Sequence, residues 1–389
     1  MRSKSIKKKI FVLSVGRSDY DRYFPILSEL RKNLRTDLYL ILSSAHYANR
    51  FGKTINFIDK KFKILKPKKK STNFSDNLLK RTKNFSNDLI FLSRCIEVHR
   101  PDLLIVLGDR YEMLLGPIAA MPFNLPVVHF YGGAVTEGVT DELVRHAITK
   151  MSHYHFVLLE TYKKRLIQLG EEKWRIKKVG MHEIKFLKSI EKVDIKQLSK
   201  EIGIDLKKPY LLVTFHPVTL EQKKLRLQMR SMIKAIKKTK LNAVITYPNA
   251  DLSHTEIIKM LRKGLANNTK YKIIKNCGSK YYTNLMRNCL MMVGNSSSGI
   301  VEAASFKIPA INIGTRQDGK FKPKNVIDTK SSWKDIYKNI IRAKNKNFLN
   351  KIKKINNPYE STLPTKRLIA NILNLKRNDK LLRKKFINF

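Results

Sequence analysis

Short runs rich in valine, isoleucine and leucine recur along the chain, and each is followed by a turn and a helical pattern of apolar positions. The clearest runs cover residues 10–15, 38–42, 103–107, 127–130, 210–214, 243–246, 290–293 and 310–313. Continuous apolar strands that alternate with helices are typical of a parallel sheet covered on both faces. The pattern therefore predicts an α/β protein built from doubly wound sheets.

A polar and charged stretch, residues 187–209, separates two series of strands and helices. We therefore predict an N-terminal Rossmann-like domain over residues 1–186, a linker region over 187–209 and a C-terminal Rossmann-like domain over 210–360. A helix over residues 366–375 and a basic tail form the remaining segment, 361–389. Ligands of open α/β sheets lie at the carboxyl ends of the strands, so we expect the ligand cleft between the two domains.

Composition excludes several classes of protein. Of the 389 residues, 42% are hydrophobic and 28% are charged, and these globular values rule out wholesale disorder. No apolar run approaches the roughly 18 residues that a transmembrane helix needs, and the run at 10–15 is too short for a signal peptide. We therefore expect a cytoplasmic protein without a membrane partner. Cys95, Cys277 and Cys289 lie far apart, which argues against a disulfide framework or a zinc site.

The chain is strongly basic, with 79 lysines and arginines against 31 aspartates and glutamates and a formal net charge of +48. Such a charge suits a nucleic-acid binder, because Lys and Arg neutralise phosphates and release counterions. The basic residues are nevertheless spread along the whole chain, and the dense run 60–70 contains no aromatic residue except Phe62. We expect no specific nucleic-acid partner, and the nucleic-acid alternative rests on charge alone.

The strongest local signal is the loop of residues 294–299, GNSSSG, which follows a predicted strand and precedes a helical pattern at 300–305. A loop of small residues at a helix start directs several N–H groups and hydroxyls to one point, and the helix dipole favours an anion. The residues predicted to bind a phosphate here are Asn295, Ser296, Ser297, Ser298 and Gly299. The alternative is an ordinary turn in which Ser298 caps the helix. Glu302 either complements the helix dipole or accepts hydrogen bonds from sugar hydroxyls.

Three polar residues lie at the carboxyl ends of predicted strands, where a ligand crevice is expected. Asp109 follows the run 103–107, His216 follows the run 210–214, and Arg17 lies in the turn after the first strand. The alternatives are local. Asp109 pairs with the neighbouring Arg110 in a turn, and His216 is a buried histidine of the core.

A second loop, residues 131–140, combines a Gly-Gly turn with an acidic residue and leads into a helical pattern that Thr140 would cap. Glu137 lies on this loop, and Asp141 falls in the first turn of the helix, four residues before Arg145. The alternative for Asp141 is an ordinary first-turn acid in an i,i+4 ion pair. Together, these residues predict a two-domain α/β enzyme that acts on a phosphorylated or nucleotide-linked ligand.

Several strings, in order along nearly the whole chain, resemble the hydrolysing UDP-N-acetylglucosamine 2-epimerases of the sialic-acid and legionaminic-acid pathway branch. The strings are GRSDY at 16–20, FGKT at 51–54, GDRYE at 108–112, RHAITK at 145–150, TFHP at 214–217, PNAD at 248–251 and GNSSSG at 294–299. The resemblance implies a GT-B-like fold in which two Rossmann-like domains close over a UDP-sugar. It also implies a homodimer or homotetramer that requires no metal or cofactor.

The chemistry that the resemblance implies begins with elimination of UDP across C1 and C2 of the sugar, which gives a 2-acetamidoglycal. Water then adds with inversion at C2. UDP-N-acetylglucosamine, the substrate expected from the resemblance, would yield UDP and free N-acetylmannosamine for nonulosonic acid synthesis. The reaction needs a base at the C2 proton, a proton source and stabilisation of the departing diphosphate.

The resemblance also implies roles for matching residues of this chain. Asp109 and Asp141 are the expected catalytic carboxylates, and His216 is expected in the catalytic site near the leaving group. The residues expected to hold the diphosphate and the ribose are Arg17, the loop 296–299 and Glu302.

One position departs from the family pattern. Where the family has Gly-Gly-Glu, this chain has Gly132, Gly133 and Ala134, so one usual acid/base carboxylate is missing. Either another acid such as Glu137 replaces it, or the chain is a catalytically altered or silent sugar-nucleotide binder. A GT-B glycosyltransferase, which would pass the sugar to an acceptor, is the alternative among enzymes.

Overall fold

The computed structural model of the chain describes residues 7–49, 53–67, 77–249, 251 and 253–388. The fold separates into two compact units. Unit 1 comprises residues 1–134, 141–186 and 360–389, and unit 2 comprises residues 135–140 and 187–359. Within the described ranges, the helices are too short or too polar to cross a membrane.

Unit 1 contains a seven-stranded parallel sheet with the strand order β3-β2-β1-β4-β5-β6-β7. Its strands are β1 (Lys8–Ser14), β2 (Thr36–Leu42), β3 (Lys63–Leu65), β4 (Leu103–Leu107), β5 (Val127–Phe130), β6 (Tyr154–Val157) and β7 (Ile176–Lys178). Its first helices are α1 (Arg17–Lys32), α2 (Leu78–His99), α3 (Leu115–Ala120), α4 (Asp141–Met151), α5 (Glu160–Gln168) and α6 (Glu183–Ser189), the last of which runs across the boundary at residue 186.

Unit 2 contains a six-stranded parallel sheet with the strand order β10-β9-β8-β11-β12-β13. Its strands are β8 (Tyr210–Thr214), β9 (Asn242–Thr246), β10 (Tyr271–Ile274), β11 (Met291–Gly294), β12 (Ala310–Ile313) and β13 (Val326–Thr329). Its helices are α7 (Ile195–Ile202), α8 (Leu225–Thr239), α9 (His254–Leu265), α10 (Gly278–Asn288), α11 (Ser298–Val301), α12 (Trp333–Ala343) and α13 (Lys346–Lys353). Helices α14 (Thr365–Leu373) and α15 (Asp379–Leu382) follow in unit 1.

The central strand β8 shows how the apolar runs form a sheet that is covered on both faces. All five residues of β8 are buried. Leu211 and Val213 belong to a core cluster with residues of α8, α9 and α12, whereas Leu212 belongs to a second cluster with residues of α7 and α10. Because successive side chains of a strand point to opposite faces, this division confirms the doubly wound arrangement.

All eight strands predicted from apolar runs are present, with ends that differ by at most two residues. The sequence pattern missed β3, β6, β7, β10 and β13, which have three or four residues each and lie toward the edges of the sheets. Outer strands are partly exposed and therefore carry polar residues, as in β7, where only Ile176 is buried.

Two segments that we expected outside the domains are part of them. Residues 187–209 are not a linker, because they contain α7, whose Leu198 and Ile202 are buried in a core cluster of unit 2. The tail after residue 360 belongs to unit 1, and its end is held by Arg175. This fully buried guanidinium donates hydrogen bonds to the backbone carbonyls of Lys380, Leu381 and Arg383.

Candidate active site

The centre of the candidate site in unit 1 is the guanidinium of Arg145, a residue of α4 that is fully buried. Its Nε and Nη2 both donate to Asp109 Oδ2, at 2.9 and 2.5 Å. Its Nη1 donates to the backbone oxygen of Ala134 at 2.9 Å and to Glu142 Oε2 at 2.5 Å. Burial lowers the pKa of Arg145, but the two carboxylates outweigh burial and raise it overall. The guanidinium is therefore a fixed cation that holds two acidic side chains.

The position of Asp109 depends on the turn that follows β4. Gly108 has φ +79°, and its N–H donates to the backbone oxygen of Phe130 on the neighbouring strand at 2.8 Å. The carbonyl of Gly108 accepts a hydrogen bond from His129 Nε2 at 2.8 Å, while His129 Nδ1 contacts Thr149 Oγ1 at 3.2 Å. Burial lowers the pKa of His129 to about 3, so this ring is neutral and carries its proton on Nε2.

His129 therefore stabilises the turn that carries Asp109 through its hydrogen bond to Gly108, a role that sequence reasoning missed. A signal was present, because His129 lies near the end of the predicted strand 127–130. Its function is visible only in the sheet, where β4 and β5 pair side by side.

Helix α4 begins at Asp141, as predicted, and carries a second acid that sequence reasoning did not select. Glu142 Oε2 accepts from Arg145, and Glu142 Oε1 lies 2.9 Å from His146 Nε2. The spacing i,i+3 to Arg145 and i,i+4 to His146 places all three side chains on one face of the helix. That spacing was the available signal, but it is common in helices and did not single out Glu142.

The loop before α4 places a backbone group beside Arg145 and no acidic side chain. Gly133 has φ +80°, and a Cβ there would lie 2.7 Å from the backbone oxygen of Tyr162, so only glycine fits. The carbonyl of Gly133 accepts a hydrogen bond from Arg165 Nη1. Ala134 is buried with its carbonyl on Arg145, and no carboxylate occupies this position.

Glu137 lies on the short segment 135–140, which belongs to unit 2. Its backbone N–H donates to the backbone oxygen of Asp318 at 3.1 Å, and the side chain is exposed. The segment ends where the N–H of Thr140 donates to Thr219 Oγ1 at 3.1 Å. Glu137 is thus held by the second unit, whereas Asp109 and Asp141 belong to the first.

In unit 2, the loop 294–299 follows β11 as predicted. Gly294 has φ +140°, and a Cβ there would lie 1.9 Å from the backbone oxygen of Thr214, so the loop starts against β8. The following helix is shorter than expected. The pattern at 300–305 forms the four-residue helix α11 and a 3-10 helix at Ala303–Phe306. A single turn aligns few peptide dipoles, so an anion at this loop would be held by N–H groups and hydroxyls rather than by the dipole.

The serines of this loop differ in their surroundings. Ser296 and Ser297 are half-buried, and the side chain of Ser297 makes no capping hydrogen bond at the start of α11. Ser298 is buried, and its Oγ donates to Glu302 Oε2 at 2.7 Å. A small pocket adjoins the loop, and its lining residues include Thr214, Ser296, Gly299 and Asn312.

Asn295, which we grouped with the phosphate-binding residues, has a different use for its side chain. Its Oδ1 accepts from the backbone N–H of His216 at 2.7 Å, and its Nδ2 donates to the backbone oxygen of His216 at 2.8 Å. Asn295 is fully buried, and its own carbonyl accepts from Gln317 Nε2 at 3.0 Å. The side chain therefore positions His216 rather than presenting itself to a ligand.

His216 follows β8 and is buried, with 6% of its surface exposed. Its Nδ1 accepts a hydrogen bond from the backbone N–H of Asn249 at 3.1 Å. An amide N–H donates only to an unprotonated ring nitrogen, so this contact assigns the neutral ring with its proton on Nε2. His216 is thereby set up as a hydrogen-bond donor through Nε2.

The turn after β1 is stabilised by a buried polar network, although the side chain of Arg17 lies outside the described part of the structure. Asp19 Oδ2 accepts from Ser14 Oγ at 2.7 Å and from the N–H of Val15 at 2.9 Å. His46 Nε2 lies 3.0 Å from Ser14 Oγ. Burial raises the pKa of Asp19 to about 6 and lowers that of His46 to about 3.

Metal ligands are not grouped in the described part of the chain, where no three His, Cys, Asp or Glu side chains come together as a possible metal site. The three cysteines are free thiols, and Cys95 and Cys289 are buried.

Comparison with known proteins decides the family. Residues 28–374 match the family described as UDP-N-acetylglucosamine 2-epimerase. The chain belongs to the UDP-N-acetylglucosamine 2-epimerase family. The resemblance inferred from the motif strings is thereby confirmed.

Curated relatives place the chain in the hydrolysing branch of this family. It is 36% identical to the GDP/UDP-N,N'-diacetylbacillosamine 2-epimerase (hydrolyzing) of Campylobacter jejuni, over 83% of this chain and 84% of the relative. It is 32% identical to the UDP-N,N'-diacetylbacillosamine 2-epimerase (hydrolyzing) of Legionella pneumophila, over 87% of this chain and 89% of the relative.

Solved structures of the family share the fold. The UDP-GlcNAc 2-epimerase of Neisseria meningitidis, bound to UDP-GlcNAc, matches with a TM-score of 0.79 at 18% identity over 94% of this chain and all of that one. The Methanocaldococcus jannaschii UDP-GlcNAc 2-epimerase, in complex with UDP-GlcNAc and UDP, matches with a TM-score of 0.76 at 19% identity over 94% of this chain and 99% of that one. The predicted GT-B-like fold, with two parallel-sheet α/β domains, is confirmed.

Proposed function

We propose that this chain is a hydrolysing 2-epimerase that converts a UDP-activated 2-acetamido sugar to UDP and the free sugar with inverted C2. The observation that carries the proposal is the buried Arg145, which binds Asp109 and Glu142 in a chain of this family. A guanidinium that donates to two carboxylates fixes the position of both, and acid/base chemistry at a sugar carbon needs groups that are held in place.

The residues of unit 1 would act on the sugar. Asp109 and Asp141 are the proposed catalytic carboxylates. Because Arg145 holds Asp109 Oδ2 with two hydrogen bonds, the orientation of Asp109 is set before substrate binds. Position 134 carries no carboxylate, and Glu137 is the candidate from sequence to supply the missing group.

The residues of unit 2 would hold the nucleotide. Ser296, Ser297 and the N–H groups of the loop 296–299 donate to the diphosphate, and Glu302 accepts from the ribose hydroxyls. His216 donates through Nε2 to the departing diphosphate, which stabilises the charge that develops there. Arg17 supplies a further cation to the diphosphate in this proposal.

Two sugars are candidate substrates. The relatives with 36% and 32% identity are named for N,N'-diacetylbacillosamine, which favours UDP-N,N'-diacetylbacillosamine. UDP-N-acetylglucosamine, the expectation from sequence, is supported by the Neisseria meningitidis relative named for it, which is 27% identical over 86% of this chain. We favour the first, because the relatives named for it are the more similar.

The deciding experiment incubates the purified chain separately with each UDP-sugar and follows UDP and the sugar by NMR. Free sugar with inverted C2 supports the proposal, and the faster of the two reactions identifies the substrate. Tight UDP binding without turnover of either compound would support a silent binder instead. Transfer of the sugar to an added acceptor, without free sugar, would indicate a glycosyltransferase.

Three wider expectations accompany the proposal. The product would enter synthesis of a sialic-type acid, the reaction would take place in the cytoplasm, and the chain would assemble as a homodimer or homotetramer. Sedimentation of the purified protein tests the last of these directly.

A further inference from the structure

Position 134 raises a specific question, because the family pattern has a carboxylate there and this chain has none. The carbonyl of Ala134 accepts from Arg145 Nη1 at 2.9 Å. The same nitrogen donates to Glu142 Oε2 at 2.5 Å. Two acceptors of one nitrogen are neighbours, so the carboxylate of Glu142 lies beside the backbone of residue 134 without any movement of the loop.

We propose that Glu142 is a catalytic residue that replaces the missing carboxylate of position 134. This inference rests on the proposed function. In the elimination step, a carboxylate oxygen of Glu142 takes the proton from C2, and the C2–H electron pair forms the C1=C2 double bond. The bond from C1 to the β-phosphate oxygen breaks, and its electron pair leaves with UDP.

The surroundings of Glu142 suit a base. Oε2 is bound to the permanently charged Arg145, and Oε1 lies 2.9 Å from His146 Nε2. Charge-assisted hydrogen bonds of this kind hold both carboxylate oxygens in a defined position. His146 is partly exposed, so Glu142 and His146 together form a hydrogen-bonded path from the buried guanidinium of Arg145 to solvent.

Glu142 is also better fixed than Glu137, the candidate from sequence. It lies in the first turn of the 11-residue helix α4, and donors from that same helix hold both of its oxygens. Glu137 lies in the loop segment 135–140 with an exposed side chain. A catalytic group that is held on a helix keeps its geometry more accurately than one on a loop.

The primary test measures kcat for UDP release in Glu142→Gln and Glu142→Asp. We expect Glu142→Gln to lower kcat by ~10²–10⁴, the usual contribution of a positioned acid or base. Glu142→Asp keeps a carboxylate and should fall between this variant and the wild type. With substrate deuterated at C2, the isotope effect on kcat should increase in Glu142→Asp, because proton removal is then slower.

A matched control separates catalysis from loss of an ion pair. Glu172 also binds a fully buried arginine three residues later, with Oε2 2.5 Å from Arg175 Nε, but at the tail contact of unit 1. Glu172→Gln should therefore cost similar stability and leave kcat near the wild-type value. Thermal melts of both variants establish that the compared proteins are folded.

A rescue experiment tests the replacement itself. The double variant Ala134→Glu/Glu142→Gln should have a kcat at least about tenfold higher than that of Glu142→Gln alone. The reason is that a carboxylate at position 134 would lie beside the same guanidinium. Glu137→Gln should lower kcat less than Glu142→Gln does. No rescue, a wild-type rate in Glu142→Gln, or an equal loss in Glu137→Gln would each overturn the inference while the proposed function stands. A wild type that binds UDP and releases none would overturn the proposed function, and this inference with it.

Discussion

Replacing Asn295 tests whether a buried amide of unit 2 positions His216, the histidine that we propose donates to the departing diphosphate. Asn295→Ala removes the acceptor of the His216 N–H and the donor to the His216 carbonyl, whose hydrogen bonds measure 2.7 and 2.8 Å. Leaving a buried polar group without its partner costs about 1–3 kcal/mol, so two groups together cost about 4 kcal/mol. For a domain of this size, that corresponds to a fall in melting temperature of roughly 8–16 °C.

The effect on activity should exceed the effect expected from stability. Without its two anchors, the backbone of His216 shifts, and the contact of Nδ1 with the Asn249 N–H is lost or lengthened. A displacement of about 1 Å in a reacting group typically costs on the order of 10²-fold in rate. We therefore expect kcat for UDP release to fall by about that factor at a temperature where the variant is fully folded.

The matched control is Asn284→Ala in the same unit. Asn284 is also buried, and it bridges backbone groups in the same way. Its Oδ1 accepts from Val193 N–H at 3.0 Å, and its Nδ2 donates to the carbonyls of Glu191 and Lys280 at 2.9 Å. It should lose similar stability and retain kcat. The reasoning is refuted if both variants lose kcat equally, or if Asn295→Ala retains the wild-type kcat.

Three further predictions concern ligand binding, pH and charge. Ser297→Ala and Arg17→Ala should each weaken UDP binding by roughly tenfold or more, because each removes a donor to a charged ligand. Unchanged UDP affinity of both variants by calorimetry would contradict the proposed diphosphate site. Burial lowers the folded-state pKa of His46 and His129 to about 3, so their contribution to stability is present above about pH 6.5 and is lost as the pH falls toward 3. The free energy of unfolding should fall by roughly 1.4 kcal/mol per pH unit for each histidine. Asp19 partly offsets this loss, because its raised pKa of about 6 stabilises the fold at low pH. Urea unfolding at several pH values measures the sum of these effects. Any nucleic-acid binding should ignore sequence and fall about 10³-fold between low and physiological salt, and tight binding of one defined sequence at physiological salt would contradict this.

The sequence alone determined two things, the family and the strands at the centre of both sheets. Strands β4, β5, β8 and β12 have the ends that their apolar runs predicted, because a strand buried on both faces must be apolar along its whole length. The loop 294–299 was recognisable because two glycines and three serines lie together between a predicted strand and a helical pattern. Local patterns of this kind do not depend on what lies elsewhere in the chain.

Only the tertiary structure decided which side chains work together. Arg145 binds Asp109, which is 36 residues away, and Asn295 binds the backbone of His216, which is 79 residues away. Neither pair has a spacing that a sequence pattern reveals. The segment 135–140 shows the same limit, because it belongs to unit 2, where the backbone N–H of Glu137 donates to the backbone oxygen of the distant Asp318. The physical reason is that parallel sheets bring distant residues together at their carboxyl edge, so the site is assembled by strand order and not by proximity in sequence.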